Sequence, residues 1–308
     1  MKAIQIIGVP SDFGASELGS SLGPDALRIS GLPASLRKMG MTVVDSGNLN
    51  GPSSLFEAVN QPNSKNTKYL EQVTLWNQLL HQEILKALSK QDIPLVLGGD
   101  HSLAIGSISA VARFCSQQQK KLKIVWIDAH ADANTPTISP SGNLHGMPVS
   151  SLLGHGYHPL CDLVEQDTIH AEQFHLVGIR SVDSAEKEFV HQLGLDIFDM
   201  RYIDEFGINH VMKKILADCA PNTHLHVSFD LDGLDPSIAP GTSTRVEGGL
   251  SYREIQLMME MMADTQCVGS VDLVELNPLQ DIRNQTALLA IDLLESLFGK
   301  TTLIRKTQ

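Results

Sequence analysis

Ile124-Val125-Trp126-Ile127-Asp128-Ala129-His130-Ala131-Asp132 runs from four bulky apolar residues directly into three metal-type ligands at alternate positions. An unbroken apolar run of this length reads as a strand buried on both faces. On an extended backbone, period-two spacing aims Asp128, His130 and Asp132 to one side. The stretch therefore predicts a buried strand whose carboxyl end carries a ligand cluster. The design recurs at Leu225 to Phe229, followed by Asp230 and Asp232. It recurs again at the run ending Leu97-Gly98-Gly99-Asp100-His101-Ser102, whose paired glycines permit a tight turn that delivers His101 at the strand end.

Outward from these segments, short apolar, β-branched runs lie around 3–8, 41–46, 93–97, 123–127, 175–179, 195–199, 224–229 and 268–274. Helix-period segments separate most of them, at 67–89, 102–117, 205–218, 251–263 and 284–298. Strands alternating with helices predict an α/β fold, a mainly parallel eight-stranded sheet with helices on both faces. A closed eight-stranded barrel fits the same strand count. Both arrangements place ligands at the C-terminal strand ends. No internal repeat or low-complexity linker divides the chain, so 1–308 reads as one domain, with the polar stretch 48–66 as a long loop.

A net charge of −12 argues against nucleic acid or an anionic membrane surface as the main partner. Cys115, Cys161, Cys219 and Cys267 show no CxxC spacing and read as reduced and mostly buried. The N-terminus has too short an apolar run for a signal peptide and reads as a first strand. No stretch approaches the roughly 18 apolar residues of a membrane helix. The expectation is a soluble cytoplasmic protein.

Alone, a DxD or GGDH segment is most often a helix cap or a turn. Three strand ends that each contribute ligands point to metal. Four aspartates and two histidines are too many donors for one tetrahedral zinc, and no cysteine lies in the segments. Six ligands suit two divalent ions bridged by carboxylate, and four negative charges balance two dications. Oxygen-rich ligation with two histidines favours manganese, with cobalt, nickel or iron as substitutes. Two close ions would clamp a bridging water and lower its pKa, making a hydroxide nucleophile.

Gly98-Gly99-Asp100-His101-Ser102, Asp128-Ala129-His130-Ala131-Asp132 and Ser228-Phe229-Asp230-Leu231-Asp232-Gly233-Leu234-Asp235-Pro236 resemble the three signature segments of the ureohydrolases. The resemblance runs from Gly8-Val9-Pro10 to the final helix. Asn134-Thr135-Pro136 and Ser141-Gly142-Asn143-Leu144-His145-Gly146-Met147-Pro148 are similar to the arginase branch in particular. The resemblance implies one manganese held by His101, Asp128, Asp132 and Asp230, and another by His130, Asp128, Asp230 and Asp232, with Asp128 and Asp230 bridging. It also implies hydrolysis of L-arginine to L-ornithine and urea by a metal-bridging hydroxide, and a homo-oligomer, trimer or hexamer. Asp132 would pass a proton to the leaving nitrogen, and His145 would shuttle protons to solvent.

Glu275 ends the last strand without a neighbouring lysine or arginine. Such a carboxylate wants a cation, and a planar guanidinium is a good geometric match. The alternative is an ion pair with Arg283 or another distant residue. Asn134, Ser139, Ser141 and Asn143 form a neutral hydrogen-bonding cluster suited to a carboxylate. Asp183 and Glu186 are suited to an ammonium, and their spacing also fits a helix capping box. Thr244 matches a family position near the guanidinium, whereas Asp235 reads as a turn former before Pro236. The loop Ala15-Ser16-Glu17-Leu18-Gly19-Ser20-Ser21 departs from the family in lacking basic residues, and Arg245 and Glu247 stand where apolar residues or proline are common. A ureohydrolase acting on agmatine, guanidinobutyrate or formiminoglutamate is the competing enzyme reading, and a metal-binding protein without turnover is the competing class.

Overall fold

The computed structural model describes residues 2–53 and 69–303. The predicted loop 48–66 therefore lies, beyond residue 53, outside the described residues. The strands are β1 (Ile4–Val9), β2 (Val43–Asn48), β3 (Ile93–Gly98) and β4 (Lys121–Ile127). They continue as β5 (Phe174–Ile179), β6 (Asp196–Asp199), β7 (Thr223–Asp230) and β8 (Val268–Val274). All pair in parallel in one open sheet of order β2-β1-β3-β8-β7-β4-β5-β6. The barrel is not formed, because β2 and β6 stay at free edges. β2 is largely exposed, as its polar centre Asp45-Ser46 allows, whereas β7 is buried throughout.

Side-chain alternation divides the interior into two layers. Ile6, Val125, Ile127, Val227 and Phe229 pack with the helices Ile208–Leu216, Tyr252–Asp264 and Gln285–Leu297. Ile7, Ile124 and Trp126 face the opposite way, against Leu70–Ser89 and Ala104–Gln117. The predicted helix 205–218 is instead two helices, Met200–Phe206 and Ile208–Leu216. Gly207 separates them at φ 78°, a left-handed conformation that breaks the helical ladder. Among the described residues no helix is long and apolar enough to cross a membrane. Cys115 and Cys267 are buried, Cys161 and Cys219 half-buried, and all four are free thiols.

The chain lays down β1 to β6 first and then returns to insert β7 and β8 between β3 and β4. Four adjacent central strands, β3, β8, β7 and β4, thus open their carboxyl ends at one place. The turn after β3 needs Gly99 for close approach, since a Cβ there would fall 1.7 Å from the Ser11 carbonyl oxygen.

Candidate metal centre

His101 follows β3 with Nδ1 lying 3.0 Å from Asp128 Oδ2, 3.2 Å from Asp132 Oδ2 and 3.3 Å from Asp230 Oδ2. Its Nε2 is 2.8 Å from Ser228 Oγ, and its ring stacks on Trp126 at 4.0 Å between centroids. Trp126 Nε1 in turn donates to Asp128 Oδ2 at 3.0 Å. Ser228 and Trp126 thus hold the imidazole from two sides and leave Nδ1 for ligation. Neither residue was singled out from the sequence, although each shares the alternation parity of the ligands on its own strand.

On the other side, His130 Nδ1 lies 3.1 Å from Asp232 Oδ2 and 3.4 Å from Asp128 Oδ1. Two candidate donor groups result, His101/Asp128/Asp230 and Asp128/His130/Asp232, sharing Asp128. Asp230 belongs to the first group alone, and its Oδ1 accepts the Asp232 backbone N–H at 2.7 Å. Asp132 reaches the first group through His101. Thr244 Oγ1 donates to Asp232 Oδ2 at 2.8 Å.

This much buried negative charge demands compensation. Burial and then the Asp128 charge push Asp132 up to about 7, and Asp230 is driven well above the usual carboxylate range by burial and then by Asp232 and Asp128. Burial and Asp128 also raise Asp232. Burial opposes the charge on Asp128 too, but hydrogen bonds with His101 and His130 outweigh it and hold this carboxyl far below its ordinary value. Burial likewise opposes charge on His130, yet Asp128 and Asp232 lift it to about 12, and the aspartates do the same to His101. In the protein alone, protons on the imidazoles do what cations between the carboxylates would do. His101 Nδ1 is buried, without a hydrogen-bond partner, and faces three carboxylates. Hard oxygens, two imidazoles and no sulfur fit a pair of divalent ions.

Beside this cluster lies a cavity of about 280 Å³ whose wall includes Asp132, Asn134, Ser141, His145, Asp183, Glu186 and Thr244. Ser139 and Asn143 are not on that wall. Ser139 Oγ accepts the Gly142 N–H at 3.0 Å, and Asn143 Oδ1 accepts from Ser16 Oγ at 2.7 Å. Asn134 Nδ2 donates to Asp183 Oδ2 at 3.2 Å while its Oδ1 is buried without a partner. Asp183 and Glu186 form a capping box on the helix Ser184–Leu193. Glu186 Oε1 also accepts the Ala133 N–H at 2.9 Å, tying that helix to the ligand loop.

Glu275 is buried and off the cavity wall. Its Oε1 accepts the His101 backbone N–H at 2.9 Å and lies 3.0 Å from His145 Nδ1, while its Oε2 is buried with no partner. Among the described residues Glu275 pairs with His145 and not with Arg283, which is exposed. Burial opposes the charge on His145, but its contact with Glu275 outweighs this and raises it to about 9. Asp132 and Glu275 both adopt left-handed backbone, at φ 48° and 61°. Non-glycine residues held there carry strain of the kind that clusters at functional sites.

Two supports complete the centre. Asp235 accepts the backbone N–H groups of Ser237, Gly248 and Gly249 at 3.0 to 3.1 Å, a turn-forming role. Arg180, which no sequence signal marked, donates to the carbonyls of Gly178, Asp232, Gly233, Leu234 and Val246 at 2.7 to 3.2 Å. It staples the β7 ligand loop in place.

Residues 2–299 match the model described as the arginase family. The chain is 40% identical over 302 residues to an arginase of Bacillus caldovelox, covering 97% of this chain and 99% of the relative. A solved structure of arginase from Bacillus caldovelox aligns with a TM-score of 0.92 at 39% identity, covering 98% of this chain and 100% of that one. A crystal structure of Entamoeba histolytica arginase in complex with L-ornithine aligns with a TM-score of 0.87 at 30% identity, covering 97% of this chain and 100% of that one.

Proposed function

The chain belongs to the arginase family and is a hydrolase of that family, and from that premise we propose that it converts L-arginine and water to L-ornithine and urea at a centre of two manganese ions. One observation carries the reading. A single cavity has a carboxylate cluster at its base and both neutral hydrogen-bonding and acidic side chains farther along its wall. That is the complement of a zwitterionic amino acid with a cationic end.

His101, Asp128, Asp132 and Asp230 would hold one ion, and Asp128, His130, Asp230 and Asp232 the other, with cobalt, nickel or iron able to substitute. When bound, the ions supply an activated water nucleophile and neutralise the carboxylates. Glu275, whose Oε2 is buried and unpartnered, holds the guanidinium. Thr244, fixed to Asp232, borders that end. Asn134, Ser141 and Asn143 donate to the α-carboxylate, and Ser139 supports them by holding the turn at Gly142. Asp183 and Glu186 receive the α-ammonium. Asp132 passes a proton to the leaving nitrogen. His145, kept a ready proton carrier by Glu275, exchanges that proton with solvent. The L-ornithine complex of the Entamoeba histolytica arginase supports this assignment of product class.

Urea or amine release from L-arginine and from agmatine, measured side by side on manganese-loaded protein, tests the substrate. A preference for arginine is expected. A preference for agmatine would overturn the substrate assignment while leaving the hydrolytic centre standing.

A further inference from the structure

The loop after β1 is absent from the roles above, and it is also where the chain departs from the family pattern. Its ends are pinned. Gly14 N donates to Asp100 Oδ2 at 2.9 Å, and Gly14 O accepts the His145 N–H at 3.1 Å. Farther along, Asp12 Oδ2 accepts from Gly19 N at 3.0 Å and Ser21 Oγ at 2.8 Å, while Asn277 Nδ2 donates to Leu18 O at 3.1 Å. Between these anchors Ser16 and Glu17 form an exposed crest. Ser16 Oγ donates across the gap to Asn143 Oδ1 at 2.7 Å. The Asn143 backbone N–H donates to Ser141 Oγ at 3.1 Å, and Ser141 lines the cavity.

A primary amide carries an acceptor at one end and two donors at the other, and a half-turn exchanges them. A carboxylate only accepts. With its oxygen engaged by Ser16, the Asn143 amide leaves its NH₂ group as the end free for a carboxylate. Turned over, it would set oxygen against oxygen. We propose that Ser16 is a specificity-determining positioning residue, fixing the Asn143 amide in the orientation that receives an α-carboxylate and so favouring amino acids over their decarboxylated amines. The proposal rests on the arginine reading above. It makes the loop following β1, through one hydroxyl, part of substrate selection.

Steady-state kinetics of wild type, Ser16→Ala and Ser16→Thr on L-arginine and on agmatine, with equal metal loading, test it. A single neutral hydrogen bond at the rim sets the scale at about three- to tenfold. Ser16→Ala should raise KM for arginine by that factor, with kcat and the agmatine KM unchanged, and Ser16→Thr should restore it. An unchanged arginine KM, an equal rise for both substrates, or no rescue by threonine would overturn the proposal. If wild type itself prefers agmatine, the arginine reading fails and takes this one with it. If wild type prefers arginine and Ser16→Ala matches it, the role of Ser16 alone is refuted.

Discussion

Glu275→Gln separates charge from shape at the centre of the substrate site. The glutamine carbonyl can still accept the His101 backbone N–H, which sits 2.9 Å from Oε1, so the turn carrying His101 should survive. What changes is the second oxygen, now buried and unpartnered, which becomes an NH₂ donor. Facing a guanidinium, that donor meets donors. Each charge-assisted hydrogen bond lost is worth about 1.5–3 kcal/mol, so a bidentate contact reduced to one weak bond costs about 3–5 kcal/mol. At about 1.4 kcal/mol per factor of ten, kcat/KM for arginine should fall by about a hundred- to several-thousand-fold. Replacing a buried, half-partnered carboxylate should leave the melting temperature unchanged or raise it. Losing Glu275 should also return the His145 pKa from about 9 toward its ordinary value, since that carboxylate is what raises it. The assay is urea release at matched metal content, with imidazole titration by NMR alongside. Activity within threefold of wild type would refute the assigned role. Activity lost only in proportion to metal would make Glu275 a support of the His101 turn instead.

Trp126→Phe keeps the ring beneath His101 but deletes the donor to Asp128 Oδ2, so manganese affinity should weaken by about 10- to 100-fold in chelator competition; an unchanged affinity would contradict this. Gly99→Ala would push a Cβ into the Ser11 carbonyl and should cost about 3 kcal/mol or more in thermal or denaturant melts. His224 is held down at about 3 by burial first, then by the charges of His226, Lys120 and Lys2, against an ordinary value of 6.5. The unfolded chain binds the extra proton between those values, so stability is lost as pH falls through that window, at up to about 1.4 kcal/mol per pH unit. His224→Gln should flatten the acid limb of a stability-versus-pH curve by that slope, and an unaltered limb would contradict the cause given.

β4 and β7 explain how much of this was readable in advance. In Thr223-His224-Leu225-His226-Val227-Ser228-Phe229-Asp230 the odd positions from Leu225 to Phe229 face one packed layer. The even ones carry the site face, so period-two reading alone predicts both strand and ligands. It does not predict which strand lies beside which. The insertion of β7 and β8 between β3 and β4 is decided by packing between segments far apart in sequence, and so the open sheet and the barrel stayed equally admissible. Gly207 shows the opposite failure, where a convincing helical periodicity spans a residue whose backbone turns left-handed. Supporting residues were the hardest to foresee. Arg180 acts through backbone carbonyls and Ser16 through one distant amide, and neither leaves a spacing pattern in the chain.

The central claim is a two-ion centre built on six side chains and used on arginine. Metal-stripped protein should release no urea from L-arginine, and activity should rise with added manganese to a plateau near two equivalents per chain. Full activity in the presence of excess chelator, or a plateau at one equivalent, would contradict the account.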